Sequence, residues 1–247
     1  MTPLDRLALD RLEKGRNAAS EARYEEALNE YVWFHEHSLE DCPSVCGVRL
    51  SFALFYWAEL AMQYPKARTV LKEIRDAKAQ RVLAGEADCE LFQDVVCINE
   101  SAFSDKATYD LFVAIAHSFP ETASEFAHLA MPAIVRMRDF ELARRYLPSP
   151  TDDLGRISDH LNVKVKDLDY RPATQRAPCL EAYISNYVKD VKRLLEVLRG
   201  SGDPEQADRM QKLASELVES PDVRQAVWAS LVSADPPRGS IPEFGRN

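Results

Sequence analysis

Apolar residues recur at helical spacing almost without a break from the N-terminus to Leu147. The pattern predicts helices over 3–20, 23–39, 44–63, 65–83, 87–102, 105–118, 121–136 and 138–147. In 23–39, Tyr24, Ala27, Leu28 and Tyr31 fall on one face at i, i+3, i+4 and i+7. Ala67, Val70, Leu71 and Ile74 do the same in 65–83, whose opposite face carries Arg68, Lys72 and Arg75. Punctuation agrees with the breaks. Pro65 stands at a first helical position, Asp41 or Ser44 with Pro43 can start the third helix, and Ser118-Phe119-Pro120 closes one helix and opens another. Segment 44–63 has almost no polar side: Leu50, Phe52, Ala53, Leu54, Phe55, Tyr56, Trp57, Leu60 and Met62 predict a central helix covered on several sides.

Residues 148–178 lose this rhythm. Pro148, Pro150, Pro172 and Pro178 flank a short helix-like run, Asp152 to Leu161, and Val163 to Leu168 alternates with period two, a weak strand signal. The segment reads as an irregular connector or insertion between a helical array over 1–147 and C-terminal helices over 179–232. Ser201-Gly202-Asp203-Pro204 and Ser220-Pro221 separate those last helices. Residues 233–247, with Pro236, Pro237, Gly239, Pro242 and Gly245, read as a disordered tail.

Five stretches along this pattern look alike. Each sets a small residue (Ala27, Ala67, Ala107, Ala143, Ala207) one turn into a predicted helix, at separations of 40, 40, 36 and 64. In the first stretch Gly15 lies twelve positions before Ala27 and Tyr31 four after it. At these residues the chain resembles the tetratricopeptide repeat family and its looser relatives, in which a small residue early in the second helix lets a helix pair pack closely. The resemblance covers about 1–147 and 180–221. The position of Gly15 is taken elsewhere by Phe55, Val95, Met131 and Leu195, and Pro43, Pro120 and Pro221 only approximate the closing proline. The fold implied is all-α: stacked antiparallel helix pairs, an α-solenoid of about eleven helices.

The family further implies a concave groove lined by the first helix of each pair. Carried over position by position, the groove would hold Arg16, Arg49, Phe52, Tyr56, Glu59, Phe92, Asn99, Glu100, His128 and Arg136. Arginines and aromatics are what protein-binding hot spots are rich in. The expected partner-binding set is therefore Arg16, Arg49, Tyr56, Asn99 and Arg136, gripping another protein or peptide. A core role for Phe52, Tyr56 and Phe92 stays open beside this.

Charge narrows the partners. The 247 residues carry a formal net charge of −9, which disfavours nucleic acid and anionic membranes. The apolar stretch 48–64 contains Arg49 and Glu59 and falls short of a span of roughly 20 apolar residues. Five cysteines and no signal-peptide pattern at Met1 to Leu7 suggest a reducing cytoplasm. Seven acids and one base fall in 21–41, a balance of −6, against six bases and two acids in 65–82, a balance of +4. Mutual neutralisation of neighbouring helices accounts for both, and a charged partner on one face is the alternative.

Chemistry-bearing clusters are sparse. His35 and His37 point roughly 200° apart on a helix, so with Cys42 and Cys46 they do not converge on a metal. Glu125-Phe-Ala-His128 has the Glu-x-x-His spacing of di-iron bundles but no second copy, and Asp152-Asp153 lacks a third acid. The chain has no glycine-rich phosphate loop and no Gly-x-Ser-x-Gly. The stretch 154–163 has a faint helix-turn-helix look, opposed by Asp159, Asp167 and Asp169. The reading is a non-catalytic scaffold or adaptor without cofactor or metal, with a homo-oligomer left open. Two alternatives stand: an acidic inhibitor or immunity-type protein blocking a basic toxin or enzyme, and a helical enzyme of unrecognised type.

Overall fold

Proline or an aspartate cap opens most of the helices. The computed structural model describes residues 3–233, and every regular element among them is helical. The chain divides into two compact units, Met1–Met137 and Arg138–Asn247. The first holds α1 (Pro3–Ser20), α2 (Tyr24–Asp41), a single 3₁₀ turn at Pro43–Val45, α3 (Cys46–Arg49), α4 (Phe52–Gln63), α5 (Pro65–Leu83), α6 (Cys89–Ala102), α7 (Asp105–Ser118) and α8 (Pro120–Arg136). The second holds α9 (Phe140–Arg145), α10 (Pro150–Lys166), a 3₁₀ turn at Asp167–Tyr170, α11 (Ala173–Gly200), α12 (Pro204–Glu216) and α13 (Pro221–Val232). Proline stands at the start of α5, α8, α10, α12 and α13, where its missing N–H leaves no bond unmade. Asp88, Asp139 and Asp203 cap α6, α9 and α12 by accepting from backbone N–H groups of the first turn.

In the first unit α1 packs on α2, α4 on α5, α5 on α6 and α7 on α8; α2 also packs on α4, α4 on α6, α6 on α8 and α5 on α7. The shared core is aromatic. Tyr31, Phe34, Trp57, Phe92, Phe112 and Phe126 are buried, and the rings of Phe92 and Phe126 stack at 4.6 Å. The indole of Trp57 donates to the carbonyl of Ala67 at 3.0 Å, tying α4 to α5. In the second unit α11 is central: α9, α10, α12 and α13 all pack on it, through Tyr187, Val191, Leu194, Leu195 and Leu198.

The repeated alanines sit deep. Ala27, Ala67, Ala143 and Ala207 are 0% exposed, while Ala107 is half-buried and its neighbour Thr108 takes the interior place. Close approach is sharpest between α1 and α2, where a Cβ on Gly15 would lie 2.7 Å from the ring of Tyr31. Ala67→Leu should therefore overpack the α4–α5 contact and destabilise by about 1–3 kcal/mol. Ala77→Leu on the exposed side of α5 should change little. Chemical denaturation of the two variants checks this, and equal midpoints would refute the close-packing role.

Several expectations are corrected. Helix 44–63 is broken: Ser51 adopts φ −127 and ψ −87, and its hydroxyl donates to the carbonyl of Gly47 at 2.6 Å. Nor is α4 covered on all sides, for Phe52 is 61% exposed. Residues 148–178, expected to be irregular, hold all of α10 and the start of α11. Leu154, Ser158, Leu161 and Asn162 are buried at i, i+4, i+7 and i+8, so the helical period wins and the alternation around Val163 has no structural counterpart. The helix expected over 138–147 belongs with the second unit, since α9 packs on α11. The expected tail lies outside the described residues from Ala234 onward. Pro43–Gln63, taken end to end, is the one stretch among the described residues long and apolar enough by length and composition to cross a membrane, with a mean hydropathy of 1.3 over its window.

Candidate functional site

The five residues expected to bind a partner all lie in the first unit, in very different settings. Arg16 of α1 and Tyr56 of α4 come together: the guanidinium lies over the phenol ring, 4.4 Å from its centroid. Arg16 is exposed and makes no ion pair among the described residues. A guanidinium placed over a ring can still donate from its N–H groups to a carboxylate.

Around this pair α4 presents an apolar face. Ala53, Leu54, Trp57 and Leu60 turn into the core. That turns Phe52, Phe55, Glu59 and Met62, at i, i+3, i+7 and i+10, outward on one stripe. Phe52, Phe55 and Met62 are 61%, 56% and 60% exposed. Phe55 meets Tyr56 edge-on at 5.9 Å. Single exposed apolar residues are ordinary, but three large ones in line on one helix form a patch. Phe55 and Met62 were missed from sequence because an all-apolar helix gives no hint of which side stays open.

Arg49, Asn99 and Arg136 are not on that face. Arg49 is 6% exposed. Its Nη1 and Nη2 donate to the two carboxylate oxygens of Asp94 at 2.6 Å each, and its Nε donates to the carbonyl of His35 at 2.6 Å. Lys78 of α5 donates to the same carboxylate. Arg49 thus staples α3 to α2 and α6. Burial alone would raise the Asp94 carboxyl, but the hydrogen bonds and charges of Arg49 and Lys78 hold it below the usual carboxylate range. Asn99 is also interior: its amide oxygen accepts from Arg75 at 3.1 Å and its nitrogen donates to Thr108 at 3.1 Å. Arg136, at the end of α8, donates to Asp105 at the start of α7.

Asp94 carried a readable signal. It falls among Leu91, Phe92, Val95 and Ile98, the buried face of α6, where a carboxylate demands a cation. Phe92, placed in the expected groove, is instead fully buried core.

His35 lies against the same cluster. Its Nε2 is 4.0 Å from Asp94, too far for a hydrogen bond, and neither ring nitrogen has a hydrogen-bond partner among the described residues. The ring meets Trp57 edge-on at 6.2 Å. Burial, then the charges of Arg49 and Lys78 against the opposing pull of Asp94, lower its pKa to about 3. His37 points outward to Glu40 at 2.9 Å. No group of three or more His, Cys, Asp or Glu side chains among the described residues is arranged to hold a metal. Burial, followed by the charges of Glu100 and Asp94, pushes the Cys97 thiol up to about 12, so it stays protonated at neutral pH. Comparison of the chain with protein-family models, with curated proteins and with solved structures finds no match.

Proposed function

We propose that the chain is a non-catalytic protein-binding scaffold whose first unit docks a partner segment on the outer face of α4. The exposed line Phe52, Phe55 and Met62 carries this reading. An apolar stripe of this kind fits apolar anchors of an amphipathic helix, spaced by one and two turns. Arg16, seated over the Tyr56 ring, is placed to meet a carboxylate at the edge of that segment. The deep alanines, and the packing of α2 on α4, α4 on α6 and α6 on α8, support a reading of the first unit as stacked helix pairs of tetratricopeptide type. On this reading Arg16 and Tyr56 act at the surface, while Arg49 and Asn99 act only by holding the helices in place.

The test uses amphipathic helical peptides selected against the purified chain from a displayed library. Phe52→Ser with Phe55→Ser should weaken the selected peptides by roughly tenfold or more, because truncated anchors dominate interface energetics. Melting should not change, as both side chains face outward. Lys72→Ala on α5, paired with Asp76 on the surface, is the control and should bind as the parent does. Equal binding by the parent and the serine variant would overturn the docking face.

A further inference from the structure

The second unit holds a cleft with a different chemistry. α10 and α11 pack side by side, and a cavity of about 380 Å³ opens between them. Its deep residues are Leu161 of α10 and Tyr187 of α11, both buried. The Tyr187 hydroxyl is already committed: it donates to the carbonyl of Ala214 at 2.6 Å and lies 2.9 Å from Ser158. What Tyr187 offers the cleft is therefore a fixed ring. Tyr183, one turn earlier on α11 and half-buried, adds a second aromatic wall.

Cations line the same cleft. Lys164 comes from α10, Lys189 and Arg193 from α11, and the one acid on the lining is Asp190. Asp190 accepts from Arg193 at 2.9 Å, so that pair is internally neutral. Lys164 and Lys189 make no ion pair among the described residues, and His160 adds an imidazole on the α10 side. A chain with a formal net charge of −9 thus keeps two ammonium groups without an ion pair on the lining of this cleft, one from each helix. Such an arrangement matches an anionic head joined to a flat body: the head between two cations, the body on the tyrosines.

We propose that the α10–α11 cleft binds a small phosphomonoester with an aromatic body, its phosphate held between Lys164 and Lys189. This goes beyond docking on α4 and stands or falls separately from it, because it rests on residues of the second unit alone. The chemistry is shared by a free nucleotide and by a phosphorylated phenol, and the probes separate the two.

Calorimetric titration of the full chain with adenosine monophosphate, phenyl phosphate and inorganic phosphate tests the proposal. At least one of the aromatic phosphates should bind saturably, one per chain, and more tightly than inorganic phosphate, which lacks a body. Tighter binding of adenosine monophosphate identifies the nucleotide source, and tighter binding of phenyl phosphate the phenolic one. Lys164→Gln with Lys189→Gln should weaken the better probe about tenfold or more, with the melting curve unchanged since neither residue is buried. Tyr183→Ala should weaken the aromatic probes and leave inorganic phosphate unaffected. The proposal is overturned if neither aromatic phosphate saturates at millimolar concentration, or if the double glutamine variant binds as the parent does.

Discussion

Arg49→Ala and Asp94→Ala are each expected to destabilise the first unit by about 3–5 kcal/mol. The physical reason is asymmetry. Intact, the cluster has three Arg49 hydrogen bonds, two to Asp94 and one to the His35 carbonyl, with Lys78 completing the carboxylate. Removing Arg49 leaves Asp94 buried with only Lys78. Removing Asp94 leaves two cations facing each other with no acid between them. Lys78→Ala should be milder, because its side chain is 20% exposed and Arg49 still neutralises the carboxylate. Replacing Arg49 and Asp94 together by Met and Leu should recover part of the loss, since it removes the buried pair and leaves only the Lys78 ammonium, whose side chain is 20% exposed, without its carboxylate. Urea denaturation of the four variants checks the order. If either single alanine variant lies within about 1 kcal/mol of the parent, the cluster is not the staple described. The same experiment bears on binding: Arg49→Ala should reduce peptide capture only as far as it unfolds the unit, whereas Phe52→Ser acts without unfolding.

The helices and their breaks were legible because period and punctuation are local. A proline or aspartate at the right place decides a helix start within a few residues, which is why α5 and α12 begin at the expected residue and α8 and α13 one residue before it. The depth of Ala27, Ala67, Ala143 and Ala207 was legible for a related reason: small residues on an apolar face mark close crossings. Arg49 was not legible. On its own it is an arginine beside an aromatic run, and such a residue reads as surface. Its burial is decided by Asp94, 45 positions along the chain and on another helix. The open side of α4 was hidden similarly, since periodicity cannot orient a helix that is apolar all round. In 148–178, four prolines outweighed a buried set with helical spacing. Pro150 merely begins α10, whereas Pro178, inside α11, gives up one backbone hydrogen bond in a helix of 28 residues that continues through it.

Lowering the pH from 7 to 4.5 is expected to destabilise the first unit by about 2–3 kcal/mol through His35 alone. In the unfolded chain this imidazole gains a proton near its ordinary value of 6.5, whereas in the fold its pKa is lowered to about 3. Between those values the unfolded state binds the proton and the native state does not, so stability present above pH 6.5 is lost as the pH falls, by about 1.4 kcal/mol per unit. Asp94 acts with the same sign further down, because its carboxyl is held below the unfolded value and the stability it adds is lost on protonation. The groups facing His35 explain the direction: a charged imidazole would join Arg49 and Lys78 around a single carboxylate, away from water. His35→Phe removes the titration without breaking a side-chain hydrogen bond, since neither ring nitrogen makes one among the described residues. Its stability should therefore fall less steeply than the parent's between pH 7 and 4.5, by the 2–3 kcal/mol assigned to His35, because the other histidines contribute equally to both proteins. Urea denaturation at the two pH values measures that difference directly. Proton NMR of the His35 ring gives the independent reading: its resonances should stay unshifted through pH 5. Parallel pH dependences, or a His35 midpoint near 6.5, would show that the imidazole is solvated and that Arg49 and Lys78 do not set its charge.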